Sequence, residues 1–232
     1  MSGIHLCWDA VDEVMLDMDG TLLDLHFDDY FWQEHLPRHY AERHGLDLQS
    51  ARQQLMPRFA AKQGSLEWYC LDYWSRELAL DIPALKQDVR QLIAIHDGVL
   101  DFLRAARRAK KTLWLVTNAH GAALRLKLAH TGLGRQFDHI VCAHELGLPK
   151  EEPAFWQYLQ QRQAFAPART LFIDDNESVL ASARVHGIGY LLSIARPSSR
   201  KPPRPRGEFP LLRSFHDLLD GSHQHLHDTY IP

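Results

Sequence analysis

Asp17, Asp19, Thr117, Asn118, Lys150, Asp174 and Asp175 are the residues of this 232-residue chain whose types and settings suit chemistry. Four carboxylates, a hydroxyl, an amide and an ammonium, with no Cys/His cluster nearby, suit a phosphate held against a hard divalent cation. Mg²⁺ takes oxygen ligands, keeps several waters and binds through one or two carboxylates plus phosphate oxygens. Such a cation, helped by Lys150, would offset the repulsion between a carboxylate nucleophile and an anionic phosphate. Phosphoryl transfer needs mainly positioning and charge neutralisation around an in-line displacement, and an aspartyl-phosphate divides one hard step into two. Each residue alone has a plainer reading: a strand-end Asp caps a helix or closes a turn, a lone Lys is solvated, and Thr117-Asn118 caps a helix starting near Gly121.

The order of the elements is what brings these residues together. Val14-Met15-Leu16 is a short apolar run ending at Asp17, the pattern of a buried strand. From Phe27 to about Ile95 the spacing is helical, with breaks at Pro37, Gly45, Pro57, Gly64 and Pro83, and predicts about four helices and no strand. After His96-Asp97-Gly98 helices and strands alternate: helix 99–109, strand 112–116, helix 121–131, strand 139–142, helix 153–165, strand 170–173, helix 177–186 and strand 188–193. This alternation predicts right-handed βαβ crossovers and a three-layer α/β, Rossmann-like core with a mainly parallel sheet. In such sheets ligands bind beyond the carboxyl ends of the strands, near the reversal of strand order. The candidate residues lie at those ends or in the loops that follow.

Asp17-Met18-Asp19-Gly20-Thr21-Leu22 resembles the D-x-D-G-T signature of the haloacid dehalogenase superfamily, and Thr117-Asn118, Lys150 and Asp174-Asp175 match its later motifs in order. Within the superfamily, MLDMDGTLLDLHFDDYFW, WYCLDYWSREL, VTNAH, KLAHTGL and TLFIDD are most similar to the bacterial GMP/IMP 5′-nucleotidase group. The resemblance implies a Mg²⁺-dependent phosphomonoesterase with Asp17 as nucleophile and Asp19 as general acid and base. It assigns Gly20, Thr117, Asn118 and Lys150 to the substrate phosphate, and Asp17, the Asp19 carbonyl, Asp174 and Asp175 to the metal. Many relatives carry another Asp four residues beyond the Asp175 position, where this chain has Val179; which of Asp174 and Asp175 touches the metal stays open. Asp19 argues against halide removal, which needs no acid for a leaving oxygen. Sugar or other small organic phosphates, mutase chemistry and a non-catalytic binding module are the alternatives.

The expected organisation is a core of residues 1–25 and 96–196, a small helical cap over 26–95 and a Pro/Arg-rich surface linker over 197–210. A short helix at 211–219 and a frayed tail to 232 follow. The core recognises only phosphate, so specificity is expected from the cap. Trp68, Tyr69, Tyr73 and Trp74, with Tyr30, Phe31 and Trp32, offer faces for a purine, although aromatics at helical spacing are more often core. His120 lies close to Thr117-Asn118, where capping or packing accounts for it. His216, His223, His225 and His227 fall in the expected tail, without a fold to fix metal geometry.

Composition bounds the rest. Lys+Arg 26 against Asp+Glu 29 gives a formal charge of -3, which leaves no basic footprint for nucleic acid. No apolar run approaches the ~18–20 residues needed to cross a bilayer, and MSGIHLCWDAVDE has no basic start followed by an apolar stretch. Cys7, Cys70 and Cys142 form no C-x-x-C pair, so a cytoplasmic protein acting on a small-molecule phosphomonoester is expected.

Overall fold

Strand register and helix caps build the rim on which the candidate residues sit. The computed structural model describes residues 8–219. β1 (Glu13–Leu16) is followed by α1 (His26–Tyr30), a π turn (Phe31–His35), α2 (Leu36–His44), α3 (Leu48–Ala60), α4 (Leu66–Tyr69), α5 (Leu71–Leu78) and α6 (Ile82–Asp88). Then come α7 (Val99–Arg108), β2 (Thr112–Thr117), α8 (Gly121–Thr131), β3 (His139–Cys142), α9 (Ala143–Leu146), α10 (Pro153–Arg162), β4 (Thr170–Asp174), α11 (Glu177–Val185), β5 (Tyr190–Ile194) and β6 (Leu211–Leu212).

The six strands are parallel in the order β3-β2-β1-β4-β5-β6. Strand order reverses between β1 and β4, where Leu16 is in register with Ile173 and the Asp17 N–H donates to the Ile173 carbonyl at 3.0 Å. The period-2 alternation of the strands divides the core. Val14, Leu16, Leu113, Leu115, Leu171 and Ile173 face one side, and Met15, Trp114, Val116 and Phe172 face the other. The first cluster runs on without a break into the segment between β1 and β2, through Phe27, Phe31, Leu55, Trp74 and Ile82. The second packs against α10 and α11 through Phe155, Trp156, Val179 and Leu180.

The 26–95 segment is helical throughout, in more pieces than the four expected. Pro37 directly follows the π turn in a continuous helical path, Pro83 sits in the first turn of α6, where the missing N–H has no partner to lose, and Pro57 lies inside α3, so none of the three separates helices. Two other expectations are corrected. Residues 211–219 form no α-helix: Leu211–Leu212 pairs with β5, and Ser214 starts a 3₁₀ turn (Phe215–Leu218) through a capping box with Asp217. The Pro/Arg-rich segment is extended and largely exposed, but it is tied down. Leu25 N donates to Pro197 O at 2.9 Å, Ser199 N to Asp24 Oδ1 at 3.0 Å, and Lys201 Nζ to Asp29 Oδ1 at 2.7 Å. His216 accordingly belongs to a folded turn, with Nε2 3.4 Å from Asp97 Oδ2. His223, His225, His227 and Cys7 lie outside the described residues.

Candidate active site

The carboxyl ends of β1 and β4 place Asp17 and Asp174 side by side, and Lys150 bridges them. Its Nζ donates to Asp17 Oδ1 at 2.5 Å, to Asp174 Oδ2 at 2.6 Å and to the Val116 carbonyl at 3.0 Å. Three acceptors satisfy all three ammonium protons of a lysine that is 1% exposed. The loop around it is held by Asn118 Oδ1, which accepts from Lys150 N at 2.9 Å, and by Trp156 Nε1, which donates to Lys150 O at 3.0 Å. Thr117 is the last residue of β2, buried, and its hydroxyl accepts from Ala119 N at 3.0 Å. The cap of α8 is His120, whose ring nitrogen accepts from Ala122 N. Thr117 and Asn118 are therefore not consumed by capping.

Oxygens of Asp17, Asp174 and Asp175 lie within 4.8 Å of one another. Burial, followed by the field of the neighbouring carboxylates, outweighs Lys150 and raises Asp17 to about 7. Burial likewise raises Asp174 to about 6 and Asp175 to about 7. Lys150 is pushed above its ordinary value because the attraction of Asp17 and Asp174 exceeds the cost of its burial. Three crowded carboxylates, with Lys150 between Asp17 and Asp174 and Arg204 against the half-buried Asp175, are three negative charges against two positive ones when ionised. An all-oxygen donor set of this kind fits a hard divalent cation. Asn176 N donates to Asp174 Oδ1 at 2.8 Å, and Arg204, from the Pro/Arg-rich segment, donates to both the main-chain and side-chain oxygens of Asp175.

Gly20 adopts φ +83, and a Cβ there would lie 2.8 Å from Asp175 Cγ. The turn after β1 thus needs glycine both for its backbone and for the close approach of Asp175. The Asp19 carboxylate does not join the acidic trio. It faces the same cleft with Oδ1 2.6 Å from Lys127 Nζ, and burial raises it above the ordinary carboxylate range. Val179 is packed in the core at the position where many relatives have an acid.

The opposite wall of the cleft comes from the helical segment. Trp32, Phe59 and Trp68 line it, with Gln33 and Gln63. Trp74 does not: it is 1% exposed, packs against Phe59 with ring centroids 4.9 Å apart, and donates Nε1 to Trp68 O at 3.0 Å. Glu151 joins the two walls. It accepts from Tyr69 Oη at 2.8 Å, Asn118 Nδ2 at 2.7 Å and Asn176 Nδ2 at 3.3 Å.

Several cleft residues escape a reading of motifs: Glu151, Arg204, Asp28, Lys86 and Lys127. The two lysines carry a signal. Lys127 repeats the buried face of α8 set by Ala123 and Leu124, and Lys86 follows buried Ile82 by four residues in α6, so each puts a charge where the helical period calls for an apolar side chain.

Residues 11–187 match the family model for haloacid dehalogenase-like hydrolases. The chain is 38% identical over 216 residues to the GMP/IMP nucleotidase YrfG of Escherichia coli (strain K12), covering 93% of this chain and 97% of the relative. It is 24% identical over 188 residues to an (S)-2-haloacid dehalogenase of Pseudomonas sp. (strain YL), covering 77% and 81%. Among solved structures, a HAD phosphatase from Thermococcus onnurineus superposes with a TM-score of 0.74 at 19% identity, covering 89% of this chain and 95% of that one. No helix among the described residues is long and apolar enough to cross a membrane. Together with the parallel sheet and the charged rim at its point of reversal, these likenesses make the chain a member of the haloacid dehalogenase-like hydrolase family.

Proposed function

We propose that the protein is a Mg²⁺-dependent phosphomonoesterase that works through an aspartyl-phosphate on Asp17 and takes purine 5′-monophosphates, IMP and GMP, as substrates. The observation that carries this reading is the Lys150 bridge between Asp17 and Asp174, with Asp175 beside them: one nucleophile, one fixed counter-charge and an oxygen site for a cation. A divalent ion bound by Asp17, Asp174, Asp175 and the Asp19 carbonyl supplies charge neutralisation for the phosphate.

The remaining work falls to the chain's own groups. Asp17 Oδ attacks phosphorus, the ester P–O bond breaks, and Asp19 delivers its proton to the departing oxygen. Asp19 then takes a proton from water, whose oxygen attacks phosphorus, and inorganic phosphate leaves Asp17 as the free carboxylate. The Thr117 hydroxyl, the Asn118 amide and the main chain at Gly20 hold phosphate oxygens, and Lys150 offsets the charge of nucleophile and phosphate. The helical segment 26–95 serves as a cap over the core, excluding water during the first step. Its aromatic wall stacks the base, a reading supported by the similarity to the GMP/IMP nucleotidase. Free Cys70 and Cys142 suit a reducing cytoplasm.

Phosphate release measured with Mg²⁺ over IMP, GMP, AMP, pyrimidine nucleotides and sugar phosphates tests the reading, with Asp17→Asn as control. IMP and GMP should lead the panel, and Asp17→Asn should lower turnover by at least about 1,000-fold with its fold intact. Preference for a sugar phosphate would replace the substrate, and substantial activity in Asp17→Asn would reject the mechanism.

A further inference from the structure

We propose that Lys127 is a positioning residue that holds Asp19 in place for proton transfer, and that Asp28 and Lys86 make this placement depend on how the helical segment sits against the core. The inference rests on Asp19 being the acid and base of the reaction proposed above.

Four charges alternate through the cleft. Lys127 Nζ, from α8, lies 2.6 Å from Asp19 Oδ1 and 2.6 Å from Asp28 Oδ2, and Lys86 Nζ, from α6, donates to Asp28 Oδ1 at 2.6 Å. Both lysine side chains are 2% exposed. Lys86 is further confined by aromatic faces, with Phe31 at 4.4 Å, Phe27 at 4.8 Å and Trp32 at 5.3 Å from its Nζ.

Two buried ammoniums cost several kcal/mol each unless paired, and apolar residues of similar volume stabilise a core as well or better. Packing alone therefore gives no reason for this arrangement beside a reacting centre. Its geometry gives one. Asp19 sits in a loop, and Lys127 is the one cation paired with its carboxylate among the described residues. Lys127 belongs to the core, whereas Asp28 and Lys86 belong to the helical segment. Displacing that segment removes Asp28 from Lys127 and frees the lysine that fixes Asp19. Trp32, which touches Lys86 and lines the cleft, joins the substrate wall to the same series.

Leaving-group chemistry separates positioning from mere folding. p-Nitrophenolate departs without a proton, whereas the alkoxide of a nucleoside requires one. Because kcat/KM reports the steps through the first irreversible one, it isolates formation of the phospho-enzyme. In Lys127→Met, kcat/KM for IMP should fall about 100-fold while that for p-nitrophenyl phosphate falls at most about threefold. With the aryl ester, rapid mixing should show a burst of about one nitrophenol per active site, since hydrolysis of the phospho-enzyme still needs Asp19 as base. Lys127→Arg keeps the charge, guards against loss of the fold and should show the same selectivity at about tenfold, as should Lys86→Met and Asp28→Asn. Equal losses on both esters across this set, or no loss on either, would overturn the inference while leaving the phosphatase reading standing. A wild type inactive on both esters would remove that reading and the inference with it.

Discussion

The sheet rim and the helical segment facing it build one cleft from opposite materials. The rim contributes Asp17, Thr117, Asp174 and Asp175, at or just beyond strand ends, and Lys150 from the loop beyond α9, which bridges Asp17 and Asp174. The helical segment contributes Trp32, Phe59, Trp68, Gln33 and Gln63, side chains with apolar bodies and adaptable polar tips. On the proposed reading, one wall serves any phosphate ester and the other a particular leaving group. The carboxylates show the same division. On the rim, burial and mutual repulsion win and the acids are raised. In the helical segment, burial raises Asp28, but Lys127 and Lys86 together hold it well below the ordinary range. The acidic trio is therefore short of positive charge, as the proposed cation site requires, whereas Asp28 is already neutralised by Lys86 of its own segment and Lys127 of the core.

The largest expected effect separates two tryptophans of the helical wall. Trp74→Ala should cost about 3–5 kcal/mol of stability, because its ring fills a core shared with Trp32, Phe59 and Tyr73. Denaturant unfolding measures that loss. Trp68→Ala should leave the unfolding midpoint nearly unchanged and raise KM for IMP about tenfold, the low end of base-stacking energies, while sparing p-nitrophenyl phosphate. The Trp74 indole keeps its acceptor, since that is the main-chain carbonyl of Trp68. A stability loss in Trp68→Ala as large as that in Trp74→Ala would mean that the wall is core and discriminates nothing.

Gly20→Ala probes the rim at its tightest point. A left-handed backbone costs a Cβ-bearing residue about 1–2 kcal/mol, and the new methyl would meet Asp175 Cγ at 2.8 Å. The variant should unfold about 2 kcal/mol more easily and lose metal-dependent activity, since Asp175 must move. Full activity in this variant would separate Gly20 and Asp175 from catalysis.

The two walls also differ in how readily the sequence discloses them. Helix 121–131 and strand 139–142 end where the apolar runs and Gly132 say they should, because a left-handed Gly cap and a buried strand are local events. Most of the rim follows from the same locality, Asp17, Thr117, Asn118, Asp174 and Asp175 being tied to strand ends, whereas Lys150 comes from the loop beyond α9. Lys86 and Lys127 are hidden because a lysine on a helix reads as solvated until its carboxylate arrives from another element. Residues 211–219 misled for a related reason. Leu211-Leu212 and Leu218-Leu219 have helical spacing, but the open edge of β5 captures the first pair, and Ser214 with Asp217 starts a separate turn.

The smallest effect tests whether the charge deficit of the rim is real. Asp17 and Asp175 sit near 7 when folded against 3.8 for an ordinary Asp, so the folded state binds more protons than the unfolded chain between these values. The associated stability is complete below about 3.8 and is lost as pH rises through about 7, so the metal-free melting temperature should decline from pH 5 to pH 7.5. On the proposed reading, Mg²⁺ competes with those protons for the same oxygens. At tenfold excess over its Kd it stabilises by about 1.4 kcal/mol, a few degrees of melting temperature, and the shift should be larger at pH 7.5 than at pH 5. Asp175→Asn should flatten the decline and shrink the Mg²⁺ shift, whereas Asp28→Asn, at the neutralised acid, should leave that shift in place. An equal Mg²⁺ shift at both pH values, or one that survives Asp175→Asn, would put the cation elsewhere and erase the distinction between a charge-poor rim and a neutralised Asp28.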